Sequence, residues 1–198
     1  MRICVFCGSS SGNAAVYAEA CRLFVLACAK DNVSIVYGGG KVGLMGVLAD
    51  AALAAGIQIT GVVPRNLVEA EIAHRGLTNL HVVSTMHQRK ALMADLADAF
   101  VALPGGAGTL EELLEQWTWA QIGLHAKPCG LLNVEGFFDP LIDMVAHMVD
   151  GGFLAAEHAR MLLAEGDAEA LLAALRGAEP VPPKWLPARP GPDRCTAA

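Results

Sequence analysis

Short apolar runs alternate along this chain with longer segments whose apolar residues fall at helical spacing, and that alternation leaves few folds open. The strand-like runs are residues 2–6, 33–37, 57–63, 81–83, 97–103 and 128–132, and the helix-like segments are 14–29, 43–55, 86–96, 110–122, 137–149 and 167–175. Parallel strands need a long crossover between them, which a helix supplies, whereas antiparallel neighbours need only a tight turn. The pattern therefore predicts an α/β domain: a doubly wound, mostly parallel, Rossmann-like sheet with helices on both faces. In such sheets ligands bind beyond the carboxyl ends of the strands, so the loops that follow strands are where chemistry should be sought.

At 198 residues the chain suits one well-buried domain, placed here at residues 1–176. Residues 177–198 change character, with six prolines from Pro180 to Pro192 and almost no apolar periodicity, and are expected to be mobile or draped over the surface. Hydrophobic residues make up 54% of the chain and charged residues only 17%, which predicts a large core and further surface covered by a second copy, a homodimer. The formal net charge of −6, without clustered Lys and Arg, argues against a nucleic-acid polymer as partner. The apolar run at residues 3–6 is too short for a signal sequence or a membrane span, so a cytoplasmic protein is expected. Six cysteines lie at positions 4, 7, 21, 28, 129 and 195. Cys4 and Cys7 have CxxC spacing but should point to opposite faces of a strand, so no metal site is expected. Cys21 and Cys28 read as core thiols in a reducing compartment.

The segment Pro104-Gly105-Gly106-Ala107-Gly108-Thr109-Leu110-Glu111-Glu112 joins an apolar strand to a helix. Glycines at 105, 106 and 108 let a ligand approach the backbone, and the helix N-terminus and the Thr109 hydroxyl add attraction for an anion. Phosphate is the natural guest. The plainer alternative is a capping box between Thr109 and Glu112, although a cap alone needs no run of glycines. On a helical wheel Glu112 turns away from the Leu110, Leu114 and Trp117 stripe and shares a face with Gln116 and Trp119.

Two more loops follow strands. Gly8-Ser9-Ser10-Ser11-Gly12 offers N–H and hydroxyl groups to an anion, with Gly8 and Ser9 nearest the strand. Gly38-Gly39-Gly40-Lys41-Val42-Gly43 fits GxGxxG, but residues 54–65 lack the acidic residue that a dinucleotide ribose requires, and the Walker A pattern is incomplete. Downstream, Met86-His87-Gln88-Arg89-Lys90 opens a helix that Ser84 or Thr85 can cap. Arg89 falls between Met86 and Met93 on one apolar face, so it either points into a pocket or interface or lays its stem over apolar surface. Its fork of donors suits phosphate or a polarised leaving group. Lys90 either joins the binding site or pairs with an acidic neighbour, and His87 is compatible with a polar contact or a surface position. No nucleophilic triad assembles, and no lysine has the surroundings expected of a pyridoxal-phosphate Schiff base.

Taken together, Tyr37-Gly38-Gly39-Gly40 with Gly43-Leu44-Met45-Gly46, Met86-His87-x-Arg89-Lys90-x-x-Met93, and Pro104-Gly105-Gly106-x-Gly108-Thr109-x-x-Glu112 resemble the LOG ("Lonely Guy") family from Arg2 to about Leu175. Its members are cytokinin riboside 5'-monophosphate phosphoribohydrolases, often described as lysine decarboxylases. The resemblance implies hydrolysis of the N-glycosidic bond of a nucleoside 5'-monophosphate to free base and ribose 5-phosphate, without a cofactor. It implies Arg89 and Glu112 as the catalytic pair. Gly105, Gly106, Gly108 and Thr109 would hold phosphate, with Gly8, Ser9, Gly39, Gly40, Met86 and Lys90 as further substrate contacts. A homodimer is again implied. Lys41 and Ala107 depart from the serine and the aromatic residue frequent at these positions, which bears on pocket size and base preference. Adenine, an N6-prenylated adenine and other purines all fit. The competing reading is a nucleotide-binding or carrier module that uses the phosphate loop without turnover.

Overall fold

The computed structural model describes residues 1–69 and 73–185. Seven strands form one sheet in the order β4-β3-β2-β1-β5-β6-β7. They are β1 (Arg2–Phe6), β2 (Ser34–Tyr37), β3 (Ile59–Pro64), β4 (Asn79–Val83), β5 (Ala99–Ala102), β6 (Cys129–Leu132) and β7 (Leu162–Glu165). Every strand pair in the sheet is parallel. The crossovers carry α1 (Ala15–Lys30), α2 (Gly43–Ala54), α3 (Arg65–Glu69), α4 (Met86–Leu96), α5 (Ala107–Gln121), α6 (Asp139–Asp150) and α7 (Ala156–Ala159), and α8 (Ala168–Gly177) follows β7.

Because β1 lies between β2 and β5, the chain winds outward in one direction through β4 and in the other through β7. The switch point falls between the carboxyl ends of β1 and β5, where the crevice for a ligand opens. Alternation along the strands feeds two cores. Ile3, Val5 and Cys7 join one face with Phe24 of α1, Leu48 of α2 and Leu171 of α8. Cys4 and Phe6 join the other with Met93 of α4, Leu113 and Trp117 of α5 and Val145 of α6. The expected opposition of Cys4 and Cys7 therefore holds. Cys4, Cys7, Cys21, Cys28 and Cys129 are buried free thiols, and Cys195 lies outside the described residues.

Two departures from the sequence reading have physical causes. Helix α5 begins at Ala107, with Gly106 as a cap that uses no side chain, so the Thr109–Glu112 capping box does not form. Strand β7 and helices α3 and α7 are additional. The run Leu162–Glu165 is only half buried at the sheet edge, too short and too mixed to announce itself as a strand. The tail, as far as Trp185, is draped: Lys184 N donates to Gln121 O at 3.0 Å, and Pro182 O lies 3.1 Å from His158 Nε2. Residues 186–198 lie outside the described residues. Among the described residues no helix is long and apolar enough to cross a membrane.

Leu48 is fully buried between α2 and the sheet. Leu48→Ala should lower unfolding stability by about 2–5 kcal/mol, read from the denaturant midpoint, since cavity and transfer costs add. A loss well under 1 kcal/mol would show that this core is not close-packed.

Candidate active site

The switch point is built by backbone. Leu103 N donates to Phe6 O at 2.9 Å and Gly8 N donates to Pro104 O at 3.1 Å, so the loops after β5 and β1 run side by side into the crevice. A side chain at Gly105 would overlap the Thr109 hydroxyl and press on Gly8 N; only glycine allows the two loops to close on each other. Thr109 N and Leu110 N both donate to Gly106 O, while Ala107 N and Gly108 N have no acceptor within the helix. With Gly106 and Gly108 exposed, this N-terminus is an open anion cradle. A cleft of about 230 Å³ opens against it, with Gly8 to Gly12 on one side, Pro104 to Gly106 on the other, and Tyr17, Leu44 and Phe137 as its apolar wall.

Helix α4 supplies a positive side chain. Its start is fixed by a reciprocal cap in which Thr85 Oγ1 accepts from Gln88 N at 3.1 Å and Gln88 Oε1 accepts from Ser84 N at 2.9 Å. One residue later Arg89 turns inward and is only 9% exposed, so it does not reach for solvent. Its Nε donates to Val62 O at 3.2 Å, and its guanidinium packs over Gly38, where any Cβ would overlap it. One guanidinium nitrogen lies 3.0 Å from Glu112 Oε1.

Glu112 stands on the second turn of α5, its side chain 12% exposed. No donor is aligned for a hydrogen bond to its buried Oε1, so the contact with Arg89 is an ion pair that leaves acceptor capacity unused. Burial pushes its carboxyl above the usual range, and Arg89 opposes that shift. A buried carboxyl with unspent acceptor capacity is costly to keep, and a perturbed group of this kind beside a cleft is a candidate for function.

The remaining candidates divide by position. Ser9 is exposed beside the cleft, and Met86 is exposed on α4 near Arg89. The carbonyls of Gly39 and Gly40 are taken by His74 N at 2.9 Å and the Tyr37 hydroxyl at 3.1 Å, so these glycines shape the loop beneath Arg89. The N-terminus of α2 is used internally: Met45 N and Leu44 N donate to Gly8 O and Ser10 O, which removes the anion site that GxGxxG would otherwise suggest. Lys90 is held by Glu111 and Glu115. His87 is exposed. Sequence reasoning missed Tyr17 and Phe137, whose rings meet edge to face at 5.7 Å; nothing local links positions so far apart in the chain. It also missed Val62 O, because a backbone acceptor leaves no sequence signal.

A doubly wound sheet with an open helix N-terminus at its switch point and a largely buried guanidinium–carboxylate pair on the neighbouring helices defines the class as an α/β protein whose crevice can receive an anionic small molecule. The comparisons narrow this. The family model described as "possible lysine decarboxylase" matches residues 45–175. The cytokinin riboside 5'-monophosphate phosphoribohydrolase LOG2 of Arabidopsis thaliana is 48% identical over 171 residues, covering 86% of this chain and 80% of that one. The cytokinin riboside 5'-monophosphate phosphoribohydrolase of Rhodococcoides fascians is 47% identical over 176 residues, covering 88% of each. The chain belongs to this LOG family. Among solved structures, the molybdenum cofactor carrier protein of Chlamydomonas reinhardtii superposes with a TM-score of 0.67 over 88% of this chain and 95% of that one; at 19% identity the likeness is one of fold.

Gly38→Ala should leave the fold intact but displace the Arg89 guanidinium, and a misplacement of about 1 Å in such a constellation costs on the order of 10²-fold in rate. Steady-state kinetics beside a thermal melt would check this. Unchanged kcat/KM would mean that Arg89 does not depend on the Gly38 contact.

Proposed function

We propose that this protein hydrolyses the N-glycosidic bond of a purine or cytokinin nucleoside 5'-monophosphate, releasing the free base and ribose 5-phosphate. The observation that carries the reading is the Glu112 carboxylate: desolvated, opposed to Arg89, and one helical turn from an anion cradle on the same helix. The 5'-phosphate is assigned to Gly105, Gly106, Gly108 and Thr109, with Gly8 and Ser9 closing over it, while Gly39, Gly40 and Met86 bound the ribose and base. Phosphate binding then fixes the ribose, turning remote binding energy into orientation at C1'.

As the bond from C1' to the base nitrogen breaks, its electron pair leaves with the base and positive charge develops on the ribose. Glu112 faces that charge and accepts a proton from the water that attacks C1', and the departing base takes up a proton from Glu112 or from solvent, which leaves neutral free base and restores the carboxylate. Arg89 holds the carboxylate and offers donors to the departing base or the ribose. The step uses water, a carboxylate and a guanidinium, and calls for no cofactor or metal. A carrier would need the cradle alone; a carboxylate held out of water and paired with a guanidinium beside it favours turnover.

We further place the protein in the cytoplasm as a homodimer. Support comes from the buried free thiols and from Leu80 and Val82 on edge strand β4 with Met86 on α4, all exposed.

Glu112→Gln should keep the fold and much of the nucleotide affinity while lowering kcat by about 10² to 10³. Adenosine, which lacks the phosphate, should be turned over far less efficiently than AMP. Because Glu112 must be ionised and burial raises its pKa, kcat/KM should fall on acidification with a midpoint above the ordinary glutamate value of about 4.3. Near-wild-type turnover by Glu112→Gln, or equal efficiency on adenosine and AMP, would overturn these assignments.

A further inference from the structure

Two sets of charges, not one, cross the seam between α4 and α5. Arg89 meets Glu112; one residue along each helix, Lys90 meets Glu111, and a turn further on, Glu115. The Lys90 ammonium lies 2.9 Å from Glu115 Oε1 and hydrogen-bonds to Glu111 as well, and its side chain is only 11% exposed. Exposed lysine pairs contribute little, but here the Lys90 stem is covered by the two helices and its ammonium bridges two carboxylates, one exposed at Glu111 and one half-buried at Glu115.

Counting the charges around Glu112 gives a reason. Glu111, Glu112 and Glu115 form an acidic strip on α5, and without Lys90 they would share the single positive charge of Arg89. Neighbouring carboxylates disfavour each other's ionised form, and the penalty falls hardest on the more buried Glu112. The groups facing Glu112 are Arg89 and Lys90 on α4, Glu111 and Glu115 on α5, and the thiols of Cys4 and Cys7 on β1. Burial pushes both thiols up, so they stay protonated and add no charge.

We propose that Lys90 is a positioning residue, not a substrate contact: by neutralising Glu111 and Glu115 it locks α5 against α4 and keeps Glu112 charged opposite Arg89. The proposal rests on the reading of Glu112 as the reacting carboxylate. It assigns Lys90 a role that operates before any ligand arrives, and so one that can be measured without turnover.

The test is NMR titration of side-chain carboxyl carbons in ¹³C-labelled protein, with Glu112 assigned by its loss in Glu112→Gln. Lys90→Met should move the Glu112 midpoint upward by about one pH unit. The double variant Glu111→Gln, Glu115→Gln should move it downward, because Lys90 is then left uncompensated. Lys90→Arg should sit near wild type. The acid limb of kcat/KM should follow each shift. Should Lys90→Met fail to fold, the double variant carries the test in the opposite direction. A Glu112 midpoint that stays put in the folded variants would overturn the proposal; so would a KM for AMP raised about tenfold in Lys90→Met with that midpoint unmoved, which would make Lys90 a substrate contact. Absence of any hydrolysis in the wild type would count against the phosphoribohydrolase reading and leave the titration to decide on Lys90.

Discussion

The rest of the site depends on one interaction, the ion pair between Arg89 and Glu112 in the seam of α4 and α5. Taking two charges out of water is expensive, and attraction between them offsets that cost only where geometry and further hydrogen bonds are good. Here the further bonds fall on one side. Arg89 has Val62 O and a bed of glycine backbone at Gly38, whereas Glu112 Oε1 has no aligned donor. The arginine is anchored and the carboxylate is left under-satisfied, which suits a group that is to face positive charge on a substrate.

The fold serves this pair by placing it at the switch point. Loops after β1 and β5 close on each other through Gly8 and Gly105, and the helix that leaves this junction carries both the cradle and Glu112. The distance between the helix N-terminus and the carboxylate is thus set within a single helix, the stiffest ruler available to a chain. The opposing arginine comes from a second helix whose start is fixed by Thr85 and Gln88. The geometry of the pair rests on rigid elements, and the loops contribute mainly backbone.

Much of this was legible in the sequence, for identifiable reasons. Strand and helix periods differ, so alternating segments announced a parallel sheet. Glycines at 38 and 105 were visible as glycines, although what each must accommodate, a guanidinium and a threonine hydroxyl, emerged only from the structure. The start of α5 was misjudged because Thr109 and Glu112 imitate a capping box, while the real cap at Gly106 uses no side chain. Strand β7, half buried at the edge, carries too little apolar pattern to stand out. The pairing of Lys90 with Glu111 and Glu115, and of Tyr17 with Phe137, depends on distant segments meeting, which no local pattern encodes.

An arrangement of this kind is proposed to cut the bond between C1' and the base and no other bond. Chromatography with mass detection of the products formed from AMP and from N6-isopentenyl-AMP tests it most directly. Free base and ribose 5-phosphate should appear in equal amounts, accumulating together. Nucleoside with inorganic phosphate, or nucleotide bound and recovered unchanged, would contradict it.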